Sequence, residues 1–220
     1  MMNMPIRIVI VDAQQLFREG VAALLTQAGG FEVVGQAAKA GEVISVVETT
    51  QPHIVLTSFI LQAQTGFDVA RNVSEISSDI PIAMLVDEVT DILLMHILRS
   101  RVSGVIAKSD SSASLIAVIQ TIVSKKEFGA PDHVIRRLPK VISHFEASKR
   151  SLSEREVVVL LLLAQGKPSR EIAQILNIST KTIDSHREHI KLKLNIRGGA
   201  ESYMHAARVL GVMQVTPSAA

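Results

Sequence analysis

The sequence predicts an α/β doubly wound parallel five-stranded sheet, followed by an all-α domain of four helices that contains a helix-turn-helix. Three observations predict it. Over the first 128 residues, short runs rich in Val and Ile alternate with helical patterns, and consecutive apolar positions suit strands buried on both faces. The last third reads as helix throughout, punctuated by capping residues. The charge also changes sign along the chain. Residues 1–133 carry 9 Lys and Arg against 14 Asp and Glu, whereas residues 134–220 carry 14 against 7. A basic C-terminal part fits a polyanionic partner that the N-terminal part does not meet.

The predicted strands are IRIVIV (6–11), FEVVGQA (31–37), HIVLTSF (53–59), PIAMLV (81–86) and VIAK (105–108). Between and after them lie five helical segments, QQLFREGVAALLTQAG, AGEVISVVETT, TGFDVARNVSEI, DEVTDILLMHILRS and SSASLIAVIQTIVSK. Gly30, Pro52, Pro81 and Gly104 mark the junctions. Five β–α units in succession define a doubly wound parallel sheet. Its working site belongs at the carboxyl ends of the strands, which here are Asp12, Ser58, Val86 and Lys108. The apolar helices LFREGVAALL and LIAVIQTIV are candidate contacts between two copies, although core packing accounts for most of their residues. The domain expectation is a sheet domain over 1–128, a linker with some helix over 129–150, and a helical domain over 151–213.

Composition narrows the function. No cysteine is present, which excludes disulfides, thiolate metal sites and thiol catalysis and fits a reducing compartment. Aromatic residues make up 3% of the chain, too few for a surface that stacks single-stranded bases. The N-terminus lacks the basic segment and apolar core of a signal peptide. The longest apolar run, VVVLLLLA at 157–164, falls short of the roughly 20 residues that span a bilayer. A soluble cytoplasmic location is expected, with no catalytic residue, no metal and no cofactor.

In the helical part, Ser153 and Glu156 have capping-box spacing, and the helix they open closes at Gly166. Ser169 is the predicted N-cap of a short second helix, and Ser179 that of a third, over 180–194. Ile172, Ala173 and Leu176 are expected to face inward from the second helix. In the third, Ile183, His186 or Arg187, Ile190 and Leu194 form one stripe. The opposite face carries Lys181, Thr182, Asp184, Ser185, Arg187, Glu188, Lys191 and Lys193. The basic groups and the Thr182 hydroxyl suit phosphates, which dominate affinity for double-stranded DNA. Asp184, Ser185 and Glu188 lie where base edges are read, and an acid there accepts from cytosine amino groups or excludes wrong sequences. A small helical bundle with a solvated basic face would show similar charge, but not the ordered motif that follows.

L-S-x-R-E at 152–156, A-x-G at 164–166, E-I-A at 171–173, I-S-x-K-T-I at 178–183, H-R at 186–187 and K-L at 193–194 together resemble the four-helix DNA-binding domain of the LuxR-type (NarL/FixJ) response regulators. The resemblance covers about 152–210. It implies that 180–194 is the recognition helix, that a helix around 201–210 is a dimer contact, and that His186 is a packed histidine or a phosphate contact, with packing favoured. IVIVDAQQLFREGVAALL and VSGVIAKSD likewise resemble the receiver domain of that family. A receiver transfers a phosphoryl group to an aspartate with Mg²⁺, using two adjacent acids, the acceptor aspartate, a hydroxyl and a lysine. The matching positions here are Asp12–Ala13, Ser58, Val86 and Lys108, so only Asp12 and Lys108 keep the family's residue types. The aromatic of the fifth strand is Val105, and the loop proline is Gln62.

These departures predict an atypical receiver whose phosphorylation site is degenerate, with Ser58 a small residue beside an Asp12–Lys108 ion pair. Ser58 as an alternative phosphoacceptor would need a base to activate its hydroxyl. The functional expectation is a sequence-specific transcriptional regulator that binds double-stranded DNA as a homodimer and without aspartyl phosphate. The alternative is a protein-interaction regulator whose receiver-like domain binds an unknown protein or ligand, with DNA binding auxiliary.

Overall fold

In the computed structural model of the chain, the described residues are 4–62, 64–146, 152–194 and 203. The chain divides into two compact units, Met1–Val89 with Ile97–Arg136, and Thr90–His96 with Arg137–Ala220.

The first unit is built on strands β1 (Ile6–Val11), β2 (Phe31–Ala37), β3 (Ile54–Ser58), β6 (Ile82–Val86) and β7 (Gly104–Ala107). They form one parallel sheet in the order β2-β1-β3-β6-β7. Every residue of β3, β6 and β7 is buried, as their uninterrupted apolar runs require in a sheet covered on both faces. Helices α1 (Gln15–Ala28), α2 (Val43–Thr50), α3 (Gly66–Ile76) and α5 (Ser112–Gln120) alternate with the strands, and α4 (Asp91–Arg99), most of which is counted with the second unit, follows β6 in the chain. Val21 and Leu25 of α1 join Leu115, Val118 and Ile119 of α5 over Ile8, Ile10 and Leu56 of the sheet. Most apolar residues of α1 and α5 are therefore core, whereas Leu16 stands 81% exposed at the start of α1.

Two features carry no signal in the apolar runs. A short hairpin, β4 (Ile60–Leu61) with β5 (Gln64–Thr65), interrupts the chain between β3 and α3. At its tip Gln62 has φ 49°, which a proline ring, fixed near −65°, cannot adopt. This loop follows a path that the missing family proline would forbid. The second feature is at the sheet edge. Gly129 donates its N–H to the Ser103 carbonyl at 2.9 Å and accepts from the Val105 N–H at 2.9 Å, bridging in parallel to Gly104. A Cβ on Gly104 would lie 2.4 Å from the Gly129 oxygen, so only glycine permits this covering of an otherwise open strand edge. Residues 129–136 thus fold with the first unit.

Two short helices, α6 (Asp132–Ile135) and α7 (Leu138–Glu146), occupy the stretch expected to link the domains. The helical unit continues with α8 (Glu154–Ala164), α9 (Ser169–Leu176) and α10 (Thr180–Leu194). Helix α8 is apolar nearly all round and buries Val157 to Leu160 and Leu162 to Ala164, which makes it the centre of the unit. Its N-terminus is the capping box read from the sequence: the Glu156 N–H donates to Ser153 Oγ and the Ser153 N–H to Glu156 Oε2. The expected final helix around 201–210 lies outside the described residues except for Tyr203, which is helical and buried. Among the described residues no helix is long and apolar enough to cross a membrane.

Candidate nucleic-acid interface and a closed carboxylate site

Register builds the site at the carboxyl edge of the sheet. Val11 pairs with Thr57, and Val86 with Ala107, so Asp12 and Ser58 leave adjacent strands side by side while Lys108 follows β7. The ladder continues one residue further, with the Asp12 N–H on the Ala37 carbonyl at 3.1 Å and the Lys108 N–H on the Val86 carbonyl at 2.7 Å. Gly66 opens α3 close behind: a Cβ there would stand 2.9 Å from the Ser58 carbonyl oxygen and 2.9 Å from the Met84 methyl.

Asp12 is 1% exposed, and every oxygen of its carboxylate is engaged. Oδ2 accepts from the Ser58 hydroxyl and, at 2.8 Å, from Lys108 Nζ. Oδ1 accepts from the Gln14 N–H at 2.6 Å. The Lys108 ammonium also lies over the Phe17 ring, 4.3 Å from its centroid. Arg18 donates to the Asp12 main-chain carbonyl at 2.6 Å. The ion pair expected between Asp12 and Lys108 is therefore present, with Ser58 as a second donor to the same oxygen. Val86 is buried and offers no polar atom. Ala13 stands beside Asp12 without a carboxylate. Mg²⁺ takes carboxylate oxygens and keeps several waters. The family's metal positions supply one carboxylate here, and a lysine holds it. These residues do not fit the metal, and no group of three or more potential ligands occurs among the described residues.

The helical unit arranges a helix-turn-helix from local signals. Helix α9 ends at Asn177, whose φ of 48° and ψ of 47° give a left-handed cap that asparagine tolerates. The Ile178 N–H returns to the Ala173 carbonyl at 3.0 Å. Ser179 then caps α10, its Oγ accepting from the Thr182 N–H at 3.0 Å. Ile172, Ala173 and Leu176 are buried on α9, and Ile183 and Ile190 on α10, as the periodicity predicts. Ser169 departs from expectation. Pro168 holds the cap position of α9 with no side-chain cap. Ser169 Oγ instead donates to Asp184 Oδ1 at 3.2 Å and accepts from Arg187 at 2.7 Å.

The residues predicted to meet DNA fall into two groups. Lys181, Thr182, Asp184, Ser185 and Glu188 are exposed on α10. Arg187 and Lys191 are half-buried and Lys193 is exposed, and each of the three is engaged in an ion pair. Arg187 lies 3.9 Å from Asp184 and 5.5 Å from the Tyr203 ring centroid, while the Tyr203 hydroxyl donates to the Arg187 carbonyl at 3.3 Å. Lys191 pairs with Glu188 at 2.7 Å, which raises the lysine's pKa. Lys193 pairs with Glu156 of α8 at 2.7 Å. Burial alone pushes the Glu156 carboxyl up, but Lys193 and the Ser153 N–H and side chain outweigh it and hold the group below its ordinary 4.5. Burial pushes His186, which is half-buried, below its ordinary 6.5, opposed in part by Glu156. Sequence reasoning missed the roles of Ser169 and Tyr203, because their partners lie 15 to 18 residues away and no periodicity marks such pairs.

A parallel sheet with an acid and a lysine at its carboxyl edge, joined to a helix-turn-helix unit, is the build of a two-domain bacterial regulator. Residues 8–120, more than half of the chain, match the response regulator receiver domain, and residues 150–206 match the luxR family of bacterial regulatory proteins. The chain belongs to the response regulators, with a C-terminal domain of the luxR family. It is 27% identical over 201 residues to response regulator UvrY of Escherichia coli K12, covering 89% of this chain and 91% of that protein. It is 25% identical over 209 residues to the transcriptional regulatory protein LiaR of Bacillus subtilis, covering 92% and 97%. Among solved structures, the RcsB response regulator of Salmonella typhimurium superposes with a TM-score of 0.71 at 22% identity, covering 94% of this chain and 99% of that one. RcsB bound to promoter P1flhDC in the presence of phosphomimetic BeF₃⁻ gives 0.66 at 24% identity, covering 92% and 98%.

Proposed function

We propose that the protein is a sequence-specific transcriptional regulator that binds double-stranded DNA as a homodimer and needs no aspartyl phosphate to do so. The DNA-binding part of this reading is carried by α10, which follows a left-handed turn and exposes Lys181, Thr182, Asp184, Ser185 and Glu188. That is the placement of a helix that enters the major groove. Promoter-bound RcsB supports it by likeness of fold. Lys181 and Thr182 take phosphates; Ser185, Asp184 and Glu188 meet base edges; Arg187 and Lys193 hold the helix against its neighbours; Lys191 reaches a phosphate once released by Glu188. Dimeric binding places two recognition helices about one DNA turn apart.

Independence from phosphate rests on the Asp12 carboxylate, whose oxygens are taken by Ser58, Lys108 and Gln14. On this reading the receiver-like domain, 1–128, is a scaffold with a degenerate phosphorylation site, joined through 129–150 to the DNA-binding domain at 151–213. Selection from random double-stranded DNA tests the proposal. Unmodified full-length protein is expected to enrich a partly palindromic motif and prefer it over random duplex by roughly 10³-fold or more. Failure to enrich any motif would contradict it and favour a regulator that acts through protein contacts.

A further inference from the structure

Helix α10 presents a conflict of charge. It carries four basic side chains, Lys181, Arg187, Lys191 and Lys193, as a DNA-docking helix should. Yet two acids, Asp184 and Glu188, stand one turn apart on the same face with side chains 63% and 64% exposed. Facing a duplex, each acid is repelled by phosphates whatever the sequence. It gains only where a base offers an amino hydrogen in the major groove, cytosine N4 above all. The structure shows what holds these acids meanwhile. Glu188 pairs with Lys191 at 2.7 Å, three residues on. Asp184 is held from α9 by the Ser169 hydroxyl at 3.2 Å and flanked by Arg187 at 3.9 Å. The two arrangements differ in how easily they open. Arg187 is also bound to Ser169 and packed on Tyr203, so Asp184 sits in a fixed network. The Glu188–Lys191 pair is a single exposed contact along one helix, a kind weak enough to exchange.

We propose that Glu188 is a specificity-determining residue that works by ion-pair exchange. It holds Lys191 until a cytosine amino group takes the carboxylate, and the released ammonium then reaches a phosphate. Asp184, one turn earlier, is the pre-oriented acceptor on the same face. The consequence is low affinity for random sequence, because Lys191 is neutralised and Glu188 repelled wherever no amino donor meets it. On the correct site the same two side chains contribute a base contact and a phosphate contact together. This inference rests on the DNA-binding reading of α10.

The test titrates full-length wild type, Glu188→Gln, Lys191→Ala and the double variant on the selected site and on random duplex across a salt series. Circular dichroism checks that α10 folds in each. Glu188→Gln is expected to bind random duplex about fivefold more tightly near physiological salt, with a log–log salt slope steeper by about 0.9. It should lose about tenfold of discrimination for cytosine at one position of the site. On random duplex, Lys191→Ala should matter little in the wild-type background and weaken the Glu188→Gln protein about fivefold, since only there is the lysine unopposed. Tighter binding with unchanged base preference would overturn the proposal and reduce Glu188 to a bulk charge. Equal effects of Lys191→Ala in both backgrounds would overturn the holding role. If neither wild type nor Glu188→Gln selects any motif, the DNA-binding reading itself fails and this inference with it.

Discussion

Lys108 and Asp12 are unequal partners. Asp12 is 1% exposed and has nowhere to turn, whereas the Lys108 side chain is 22% exposed and can swing to water. Removing the lysine therefore strands a buried carboxylate, and removing the acid does not strand the lysine. Lys108→Met is expected to cost about 3 kcal/mol, and Asp12→Asn about 1.5 kcal/mol for the lost charge-assisted hydrogen bonds, read from urea unfolding of the first unit. Equal costs would show that the pair is solvated. Glu156 makes a second residue-level case. Its folded-state pKa lies below its ordinary 4.5, so the stability it contributes is complete above that value and is lost as pH falls through the lowered one. Glu156→Gln is thus expected to melt below wild type at pH 7, with the gap beginning to shrink near pH 4.5 and closing once pH has fallen through the lowered folded-state value. His186, lowered from 6.5 by burial, adds an acid weakness that begins higher, because the unfolded chain takes up its proton first. A Tm gap for Glu156→Gln that persists in acid would refute the ion-pair account of this carboxylate.

At the scale of elements, β7 shows how a backbone contact decides a sequence position. The covering of its edge by Gly129 depends on the bare Cα of Gly104. Gly104→Ala forces a methyl onto the Gly129 carbonyl and is expected to cost about 2 kcal/mol, in the range of overpacking. Hydrogen exchange at the Val105 amide, which donates to Gly129, is the direct probe: protection should fall there before it falls in β1 or β3. Unchanged protection would mean that the edge tolerates a Cβ. The glycine itself was legible only as a junction, since the residue it meets is 25 positions away. The same division runs through the helix-turn-helix. The caps at Ser153 and Ser179 and the buried stripe of α10 follow local rules and were readable from spacing. Ser169 has a good N-cap residue type, yet Pro168 takes the cap position and frees the hydroxyl to join α9 to α10, because two charged partners on α10 compete for it.

Across the whole molecule, the elements that identify the fold were those with strong periodicity. Five strands appear at or within a residue or two of the apolar runs, and Asp12, Ser58, Val86 and Lys108 end or follow four of them as read. What could not be read was the state of the carboxylate they surround. Residue types alone left open whether Ser58 is exposed to a phosphodonor; the hydrogen bond to Asp12 and 1% exposure make it a buried donor whose hydroxyl is already engaged. The β4–β5 hairpin was equally hidden, because a left-handed Gln62 leaves no mark in composition. On the proposed function, this response regulator works with its receiver site closed. The most direct measurement incubates the full-length protein with Mg²⁺ and a small phosphodonor, then records intact mass and affinity for its selected DNA site in the same sample. No phosphate adduct and an unchanged affinity are expected. A stoichiometric adduct accompanied by tighter DNA binding would contradict the account and return Ser58 to the role of a phosphoacceptor.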